Sequence, residues 1–514
     1  MAVDPIALSA PMRATLTNAY GWLTRHCGAD ALLQADSRRI RPGDVFVAYA
    51  VEGADNRPFI ADAVARGAAA VLWQSDAWHW PVDVAGVAHL GVTRLDALAG
   101  ELASLWCGEP SRHMLTIGTT GTNGKTSVSQ WLARVLSDAG RPCAIIGTLG
   151  TGLPGHLQAT GFTTPDAVQL QQNLRDMQAL GARAVSMEVS SHGLAQGRVN
   201  GVAFDIAVFT NLTQDHLDYH GTMAAYEAAK ARLFAWPGLQ CAVINRDDAM
   251  GQRLLTKLAG KLPVIEYGLG APAPSAHGNR VLSAADIQAT ASGTTFRLHV
   301  ESASTVMHTS LLGTFNISNL LAVLGAALAA GVPVEQALPA LAKLEPVDGR
   351  MQQLGGSAGA PLVVVDYAHT PDALEKTLAA LRPVARARDG QLICVFGCGG
   401  DRDAAKRPLM GAAAERLADA VVLTSDNPRS ESPSGIIAQI AAGLSAPEKV
   451  RQIEDRASAI LQAIRQAAPA DVILIAGKGH ENTQEIMGKK RPFSDQEHAR
   501  LALAARATSR GGGE

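Results

Sequence analysis

This chain of 514 residues has few aromatic residues and no large excess of positive or negative charge. Aromatic side chains make up 4 % of the sequence, and the formal net charge is −2 at pH 7. Proteins that bind nucleic acid neutralise phosphates with an excess of Lys and Arg, and those that bind single strands also stack bases on aromatic rings. We therefore predict no nucleic-acid partner and no electrostatic attraction to an anionic membrane.

Cysteine pairs and long hydrophobic runs are also missing. The six cysteines are scattered, and Cys394 and Cys398 lack the further ligands of a zinc site. The longest apolar stretch, residues 320–334, is shorter than a membrane span and contains Gly and Pro, so it predicts a buried helix. Residues 1–5 show no signal pattern. These features predict a cytoplasmic protein with reduced thiols and no membrane partner, and we expect a monomer.

Three α/β blocks follow one another along the chain, which is too long for one hydrophobic core. In the second and third blocks, short apolar strands are followed at once by polar residues and then by helical patterns. This order is typical of parallel sheets with helical crossovers. Only residues 283–312 alternate like antiparallel strands. We predict domains at residues 1–112, 113–347 and 348–514.

The sequence Gly-Thr-Thr-Gly-Thr-Asn-Gly-Lys-Thr-Ser, residues 118–127, is the strongest local signal. It lies between an apolar strand pattern and an amphipathic helix pattern, as phosphate-binding loops do. Gly121 and Gly124 allow backbone amides to approach phosphate oxygens, Lys125 can reach the outer phosphates, and the Thr126 hydroxyl can bind Mg²⁺. The first glycine of the general pattern falls on Thr119, so a structural glycine-rich turn is the alternative.

Polar residues follow several other strands of the second block. Glu188 follows the apolar residues 184–187, and Asp215 and His216 follow the apolar residues 206–210. If these strands share a sheet with the phosphate loop, their polar ends can converge on its Mg²⁺. Magnesium prefers oxygen ligands, so His216 taken alone is better explained as a hydrogen-bonded loop histidine. The run from Glu188 to His192 has no nucleophile elbow, which argues against a serine hydrolase.

The third block repeats the pattern at four strand ends, at residues 366–369, 397–403, 425–429 and 476–481. Ligands of open parallel sheets bind at the carboxyl ends of strands, so these four clusters predict a site. Four cations of the block, Arg402, Lys406, Arg407 and Arg429, suggest a substrate with free carboxylates, because guanidinium groups bind carboxylates through two parallel hydrogen bonds.

Lys230 lies in a strong helix pattern, residues 223–234. Its position alone predicts a solvent-exposed helix lysine, and neither spacing nor composition sets it apart.

Six motifs, in order along essentially the whole chain, resemble those of the Mur ligases, the ATP-dependent amide-bond ligases of peptidoglycan precursor synthesis. They are residues 120–126, 187–193, 211–220, 312–319, 366–371 and 477–481. The resemblance is greatest to the MurE type, which adds the third residue of the stem peptide to UDP-N-acetylmuramoyl-L-alanyl-D-glutamate. It implies a three-domain α/β architecture with an N-terminal UDP-binding domain, a central P-loop ATPase domain and a C-terminal Rossmann-like domain that brings the amino acid.

The resemblance also implies roles for residues of the ATP half. ATP is the co-substrate, and it phosphorylates the terminal carboxylate before an amine displaces the phosphate. The implied catalytic set is Lys125, Glu188, His216 and Lys230. The implied metal set is Thr126, Glu188, His216 and Lys230, the last as a CO₂-derived carbamate that can bind Mg²⁺. The implied ATP contacts are Gly121, Thr122, Asn123, Gly124, Lys125, Thr126, Ser127, Asn316, Arg350, Asp366 and His369.

The other two substrates are implied in the same way. The implied contacts of the UDP-muramoyl dipeptide are Ser37, Glu52, Gly53, Ala54, Thr163, Thr164, Ser190, Gln196 and Arg198. The run Asp426-Asn427-Pro428-Arg429 resembles the form found in enzymes that add meso-2,6-diaminopimelate. The distal carboxylate of diaminopimelate, which lysine lacks, can pair with Arg429. The implied pocket is completed by Arg402, Gly477 and Glu481.

Two alternatives stay open from the sequence. Another ligase of the same superfamily, such as folylpolyglutamate synthase or the D-Ala-D-Ala-adding enzyme, would share the phosphate loop but not residues 187–193 and 426–429. A P-loop switch or transport ATPase would hydrolyse ATP without any dependence on an amino acid. That second alternative leaves the strand-end clusters of the third block unexplained.

Overall fold

The computed structural model describes residues 8–159, 161–357 and 359–511. Residues 1–5, which carry the prediction about a signal pattern, lie outside this part of the chain. The described chain packs as two compact units. The first comprises the chain up to Ser283 together with Asn319–Leu341, and the second comprises Ala284–Ser318 together with the chain from Ala342 onward.

The first unit begins with a small parallel sheet. Its strands stand in the order β1-β2-β5-β6, and a separate two-stranded hairpin pairs β3 with β4. The elements are α1 (Ala10–His26), β1 (Leu33–Gln34), β2 (Val45–Ala48), β3 (Ala50–Val51), β4 (Ala54–Asp55), α2 (Ile60–Ala65), β5 (Ala70–Gln74), β6 (Ala88–Val92) and α3 (Leu95–Trp106).

A larger sheet occupies the rest of the first unit. The elements that follow α3 up to the second unit are β7 (Leu115–Thr120), α4 (Lys125–Asp138), β8 (Cys143–Gly147), β9 (Gly150–Gly152), α5 (Ala167–Ala179), β10 (Ala184–Glu188), α6 (Ser191–Ala195), β11 (Ile206–Phe209), α7 (Leu217–His220), α8 (Met223–Ala231), β12 (Cys241–Asn245), α9 (Ala249–Leu258) and β13 (Val264–Leu269). Strands β13-β12-β11-β7-β10-β8 are parallel neighbours in that order, and β9 pairs antiparallel to β8. The strands are buried along their length because helices cover both faces.

The next elements are β14 (Arg280–Thr290), β15 (Gly293–Val300), β16 (Ala303–Thr309), α10 (Thr314–Ala329) and α11 (Val334–Ala342). Phe296 of β15 stands opposite Met307 of β16 in an antiparallel pair, which confirms the alternation predicted for residues 283–312. The predicted helix at residues 320–334 is partly wrong. Helix α10 ends at Ala329 because Gly331 adopts a positive φ of 82° and Pro333 follows.

A second parallel sheet forms most of the second unit, in the order β17-β18-β22-β19-β20-β21, with β17 antiparallel to β18. The elements are β17 (Gln352–Gly355), β18 (Leu362–Asp366), α12 (Pro371–Ala387), β19 (Leu392–Phe396), α13 (Lys406–Leu417), β20 (Ala420–Leu423), α14 (Pro433–Ala441), β21 (Arg451–Gln452), α15 (Arg456–Gln466), β22 (Val472–Ala476), β23 (Thr483–Ile486), β24 (Lys489–Pro492) and α16 (Asp495–Gly511). Strands β23 and β24 form a separate hairpin.

The register of both parallel sheets aligns the strand ends that carry polar residues. In the first unit Glu188 of β10 is level with Thr119 of β7. In the second unit Asp366 and Phe396, which end β18 and β19, are both level with Ala476 of β22. The α/β class is therefore confirmed, and the ends of neighbouring strands lie level with one another in both sheets.

Two further observations bear on the sequence predictions. All six cysteines are free thiols. In the part of the chain that the structure describes, no helix is both long enough and apolar enough to cross a membrane.

Candidate active site

The phosphate loop joins β7, the strand that has β10 on one side and β11 on the other, to helix α4. Glycine is required at two of its positions. Gly121 has a φ of 150°, and a Cβ there would collide with the Thr210 hydroxyl. Gly124 has a φ of 87° and lies against the Asn319 amide oxygen, so a side chain would strain the backbone and clash. The loop is therefore built for close approach of its backbone to a neighbour or ligand.

The segment after β11 holds the loop in place. The Thr122 amide donates to Asn211 O at 2.8 Å, and the Asn123 amide donates to the Asn211 side-chain oxygen at 3.0 Å. The Thr210 hydroxyl donates to Asn123 O at 2.6 Å. The hydroxyl of Tyr226, on α8, lies 3.1 Å from the Thr122 hydroxyl. The loop conformation is thus fixed by residues some ninety positions further along the chain.

Two lysine ammonium groups meet at one carbonyl of this loop. Lys125 Nζ donates to Gly121 O at 2.9 Å and to Thr122 O at 2.8 Å. Lys230 Nζ donates to the same Gly121 O at 2.7 Å and lies 4.5 Å from the ring centre of Tyr226. Two positive charges at one oxygen repel each other, and an anion placed between them would relieve this repulsion.

Lys230 is 1 % exposed, so the interpretation of it as a solvent-exposed helix lysine is wrong. Its helix α8 begins at the N-cap Thr222 and turns this one lysine inward, towards Gly121 O. Burial lowers the pKa of Lys230 well below its ordinary value, Lys125 lowers the pKa further, and Asp215 acts in the opposite direction. A lysine in this environment is easily neutralised, and a neutral amine is a nucleophile.

Glu188, at the end of β10, joins the loop to its neighbours. Its carboxylate accepts hydrogen bonds from the Thr126 hydroxyl at 3.0 Å, the Thr148 amide at 2.8 Å and the Thr148 hydroxyl at 3.1 Å. Glu188 is 1 % exposed, and Gly147 lies against it where any side chain would clash. A buried carboxylate is therefore aimed at the first turn of α4, where Thr126 and the buried Ser127 lie.

His216 precedes α7 with a φ of 52°, and its Nε2 is 3.5 Å from Asp215 Oδ2. Partial burial lowers the pKa of His216; Asp215 opposes the lowering, and the nearby Lys125 and Lys230 reinforce it. The imidazole is therefore favoured in its neutral form, which can act as a ligand. It packs edge-on against His192 with 4.8 Å between ring centres.

The structure places the residues predicted to bind the metal in two separate pairs. Thr126 and Glu188 are hydrogen-bonded to each other, and His216 lies within electrostatic range of Lys230. Within residues 8–159, 161–357 and 359–511, no three His, Cys, Asp or Glu side chains form a cluster that could hold a metal by itself. The donors present, one carboxylate and one hydroxyl beside a phosphate loop, fit Mg²⁺ completed by phosphate oxygens and water.

Most residues predicted for the UDP-muramoyl dipeptide form one chain of hydrogen bonds. It runs from Glu52 O to Gln196 Nε2 at 2.9 Å, from Gln196 to Arg198 at 2.8 Å and from Arg198 to Thr164 O at 2.9 Å. Thr164 and Ser190 then share a hydrogen bond of 3.1 Å.

The remaining residues of this set lie around that chain. Gly53, with a φ of 80°, turns the hairpin between β3 and β4, where Ala54 pairs with Val51. The Thr163 hydroxyl is 3.0 Å from that of Thr148, which leads to Glu188. Ser37 is buried and is not part of this chain of hydrogen bonds. Its side chain forms a hydrogen bond with the Asp62 carboxylate.

Three of the four ATP residues predicted from the second unit, Arg350, Asp366 and His369, lie at the end of β18. Asp366 accepts from the Met351 and Ala368 amides at 2.8 and 2.9 Å, and burial raises its pKa while Arg350 opposes the rise. The Arg350 guanidinium stacks 4.5 Å from the ring centre of Tyr367. His369 Nδ1 contacts Tyr367 O at 2.8 Å. Asn316 is buried on α10 and donates to Leu312 O at 2.9 Å.

The predicted amino-acid pocket lies where β20, β19 and β22 end. The Gly400 amide donates to Asn427 O at 2.9 Å, and a side chain on Gly400 would collide with Pro428 O. Arg429, at a φ of 51°, donates from Nη1 to Gly400 O at 2.6 Å, and Gly477 lies against the Asp426 carboxylate.

Glu481 and Arg402 complete the predicted pocket set. Glu481 accepts from Asn427 Nδ2 at 2.7 Å. Arg402 is exposed beside Gly399. The structure therefore brings all seven predicted residues of this pocket to one sheet edge.

Two cations of the third block have other partners. Arg407 is 1 % exposed and forms an ion pair of 2.7 Å with Glu431, so its assignment to a substrate-binding group is wrong. The hydrogen bonds from Arg407 raise its pKa, and they lower the pKa of Glu431 to about 2. Lys406 donates to His369 O at 2.8 Å. Arg407 is a structural residue that joins α13 to the segment before α14.

Sequence reasoning missed three residues of the site. Thr148 binds Glu188 twice, Tyr226 contacts both Thr122 and Lys230, and Lys478 lies inside the amino-acid pocket. Thr148 follows a buried strand, β8, so the rule that polar residues follow strand ends could have found it. Lys478 lies in the strand-end cluster at residues 476–481, so the same rule applies to it, whereas Tyr226 lies inside helix α8 and carries no such signal.

A parallel sheet with a phosphate loop at its central strand, a buried carboxylate on the loop threonine and paired lysines defines an α/β nucleotide-binding protein of the P-loop class. Residues 119–327 match the Mur ligase middle domain, and residues 349–479 match the domain described as Mur ligase, glutamate ligase domain. The chain belongs to the Mur ligase family.

Curated relatives and a solved structure agree with this assignment. The chain is 56 % identical to the UDP-N-acetylmuramoyl-L-alanyl-D-glutamate–2,6-diaminopimelate ligase of Ralstonia nicotianae, over 99 % of this chain and 100 % of that one. It is 53 % identical to the protein of the same name from a Janthinobacterium species, over 96 % and 97 % of the two chains. A solved structure with that name superposes with a TM-score of 0.65 at 39 % identity, covering 93 % of this chain and 95 % of the other.

Proposed function

We propose that this protein is an ATP-dependent ligase that joins meso-2,6-diaminopimelate to UDP-N-acetylmuramoyl-L-alanyl-D-glutamate in peptidoglycan precursor synthesis. The observation that carries the proposal is the strand-end pocket of the second unit. It combines arginine cations and a carboxylate acceptor, the complement of a zwitterionic amino acid, in a chain that also carries a phosphate loop. The near full-length relatives named for this reaction support it.

In this proposal the phosphate loop holds ATP, and the reaction proceeds in two steps. The terminal carboxylate of the dipeptide attacks the γ-phosphorus, ADP leaves, and an acyl phosphate forms. The free amine of diaminopimelate then attacks the acyl carbon, and phosphate leaves as the amide forms. Neither step needs a protein nucleophile. The protein's part is to align the reactants and to neutralise charge on the phosphates, through Lys125, the loop amides and the first turn of α4.

Magnesium supplies further charge neutralisation when bound, and we propose that Thr126, Glu188 and His216 hold it together with phosphate oxygens. We also propose that Lys230 is carbamylated. Burial and Lys125 favour its neutral amine, which can add to CO₂ with loss of one proton. The carbamate nitrogen keeps a hydrogen that can donate to Gly121 O, and its oxygens replace the repulsion from Lys125 by attraction.

We assign the remaining ATP contacts to Asn316, Arg350, Asp366 and His369. The stacked Arg350 and Tyr367 and the hydrogen-bonded Asp366 form a rigid, charged surface at the end of β18. The dipeptide substrate is assigned to the hydrogen-bonded chain from Glu52 to Ser190, which reaches Thr148 and Glu188 through Thr163. Ser37, Gly53 and Ala54 are assigned to its uridine end.

The amino-acid pocket is assigned to Arg402, Asp426, Asn427, Pro428, Arg429, Gly477 and Glu481. Arg429 pairs with the distal carboxylate of diaminopimelate, and Glu481 receives an ammonium group. With lysine in the pocket, Arg429 would lack a carboxylate partner, which costs about 1–3 kcal/mol. We place the reaction in the cytoplasm and retain the prediction of a monomer.

The test of this proposal is product formation from the three substrates. Purified protein is incubated with ATP, Mg²⁺, UDP-N-acetylmuramoyl-L-alanyl-D-glutamate and meso-diaminopimelate. The mass of the UDP-linked peptide product is then measured by mass spectrometry. The expected product is heavier than the dipeptide substrate by one diaminopimelate less one water, and it disappears when any one substrate is omitted. Absence of this product from the complete mixture would overturn the proposal.

A further inference from the structure

Lys478 is a fully buried cation in the amino-acid pocket, to which the proposed function gives no role. It follows β22 directly and stands between Gly477, with a φ of 116°, and Gly479, with a φ of 54°. These two turns of the backbone allow the lysine side chain to point into the unit, where it is 0 % exposed. A buried ammonium is costly unless it is paired and hydrogen-bonded.

Two residues of the proposed pocket satisfy this ammonium. Lys478 Nζ donates to Asn427 Oδ1 and to Glu481 Oε2, each at 3.0 Å. Asn427 Nδ2 donates to the same Glu481 Oε2 at 2.7 Å, and the Glu485 amide donates to Asn427 Oδ1 at 3.0 Å. The four groups form a closed network in which each of the two acceptor atoms receives two hydrogen bonds.

The network has a buried side and an accessible side. The Lys478 side chain is 0 % exposed, whereas that of Glu481 is 32 % exposed. Both hydrogen bonds to the Glu481 carboxylate reach Oε2, and within the described part of the chain none reaches Oε1. Lys478 therefore binds one oxygen of a partly exposed carboxylate from the buried side, and the other oxygen carries no hydrogen bond from the described residues.

We propose that Lys478 is a positioning residue for the incoming amino acid. It fixes the carboxylate of Glu481 and the amide of Asn427, so that Oε1 of Glu481 is aimed at an ammonium group of the substrate. This inference rests on the proposed function, since it assigns Glu481 and Asn427 to the amino-acid pocket. The two hydrogen bonds of Lys478 Nζ go to Asn427 and Glu481, so we expect it to act through these two residues.

The decisive variant is Lys478→Met, which keeps the length and removes the charge. Asn427 keeps its bond from the Glu485 amide, and Glu481 keeps its bond from Asn427. We expect KM for meso-diaminopimelate to rise about tenfold or more, with KM for ATP and for the UDP-muramoyl dipeptide changed by less than about twofold. Lys449→Met, at an exposed lysine of the same unit, is the matched control and should leave all three KM values unchanged.

A double-mutant cycle separates positioning from a merely structural role. If Lys478 acts through Glu481, Lys478→Met should add little to the effect of Glu481→Gln, because the interaction is already lost. Independent effects that multiply in the double variant would contradict the proposal. Lys478→Gln, which keeps a hydrogen-bond donor, is the second variant if Lys478→Met does not melt cooperatively.

The remaining outcomes are distinguishable. Ligation by the wild-type protein together with an unchanged KM for diaminopimelate in a folded variant would overturn the positioning role alone. Equal rises in all three KM values, or failure of both variants to fold, would assign Lys478 to stability and also overturn the proposal. No diaminopimelate-dependent ligation by the wild-type protein would overturn the proposed function, and this inference with it.

Discussion

The substitution Glu188→Gln should lower the activity of the enzyme far more than it lowers the stability of the fold. The Glu188 carboxylate is 1 % exposed and accepts three hydrogen bonds, one from the Thr148 amide and two from the hydroxyls of Thr126 and Thr148. A backbone N–H cannot turn away, but hydroxyls rotate. Glutamine can therefore place its oxygen on the Thr148 amide and its NH₂ group on the two hydroxyl oxygens, which accept instead of donating.

The expected magnitudes differ between stability and activity. The substitution keeps the shape and the number of hydrogen bonds but loses their ionic character, which costs about 1–2 kcal/mol in the free energy of unfolding. The melting temperature should fall by only roughly 2–3 °C, because the entropy of unfolding of a unit of about 300 residues is large. In the proposed site the metal, in contrast, would lose an anionic ligand, and we expect kcat/KM to fall about a hundredfold or more. Calorimetry and diaminopimelate-dependent ADP release, measured over a Mg²⁺ titration, give the two quantities.

Glu266→Gln is the matched control for this prediction. Glu266 lies on β13 of the same unit, is 2 % exposed, and accepts from Asn279 Nδ2 at 2.9 Å and from the Ser275 hydroxyl. Glu266→Gln should lower the melting temperature by about as much as Glu188→Gln does, while leaving the rate of ligation nearly normal. Near-normal activity of Glu188→Gln, or equal losses of activity in both variants, would refute the reasoning.

The remaining predictions address the loop, the buried lysine, the amino-acid pocket and a buried histidine. Gly121→Ala should weaken ATP binding at least about tenfold by calorimetric titration, because its Cβ would collide with the Thr210 hydroxyl. Gly140→Ala, at a positive φ of 83° but with open space around it, should not weaken ATP binding, and equal losses would contradict this. Lys230→Ala should be inactive and partly rescued by short carboxylic acids that replace the carbamate; full activity without acid would show that no carbamate is needed. Arg429→Ala should raise KM for diaminopimelate at least about tenfold more than KM for ATP, and equal rises would remove this residue from the pocket. Burial, reinforced by the positive charge of Arg350, lowers the pKa of His480 from 6.5 to about 4. The imidazole therefore binds a proton more weakly in the folded state than in the unfolded state. The wild-type protein should therefore lose stability relative to His480→Gln as pH falls from about 6.5 towards 4, and an ordinary pKa for this ring by NMR titration would contradict it.

The strands and their polar ends could be predicted because one physical pattern governs both. A buried parallel strand is a short apolar run, and its carboxyl end faces ligands, so Glu188 and Asp366 were placed at sheet edges from sequence alone. The same pattern gave the phosphate loop. Proposed roles such as the carbamylation of Lys230 rest instead on the resemblance to the Mur ligases, since no local signal indicates them.

What the sequence could not show depends on partners that are distant along the chain. Lys230 is buried because its nitrogen meets Gly121 O, 109 residues earlier, and helix periodicity does not report such a contact. Arg407 was misassigned because Glu431, 24 residues later, neutralises it inside the unit. In both cases a charged side chain that the sequence pattern places on an accessible surface is buried by a contact with a distant residue.

The most direct test of the account is phosphate release from ATP in the presence of UDP-N-acetylmuramoyl-L-alanyl-D-glutamate. The rates with meso-diaminopimelate, with L-lysine and without an amino acid are compared. The account predicts release that depends on diaminopimelate and is far slower with lysine. Release independent of any amino acid would contradict the ligase assignment and indicate a plain ATPase, and equal release with lysine would contradict the role of Arg429.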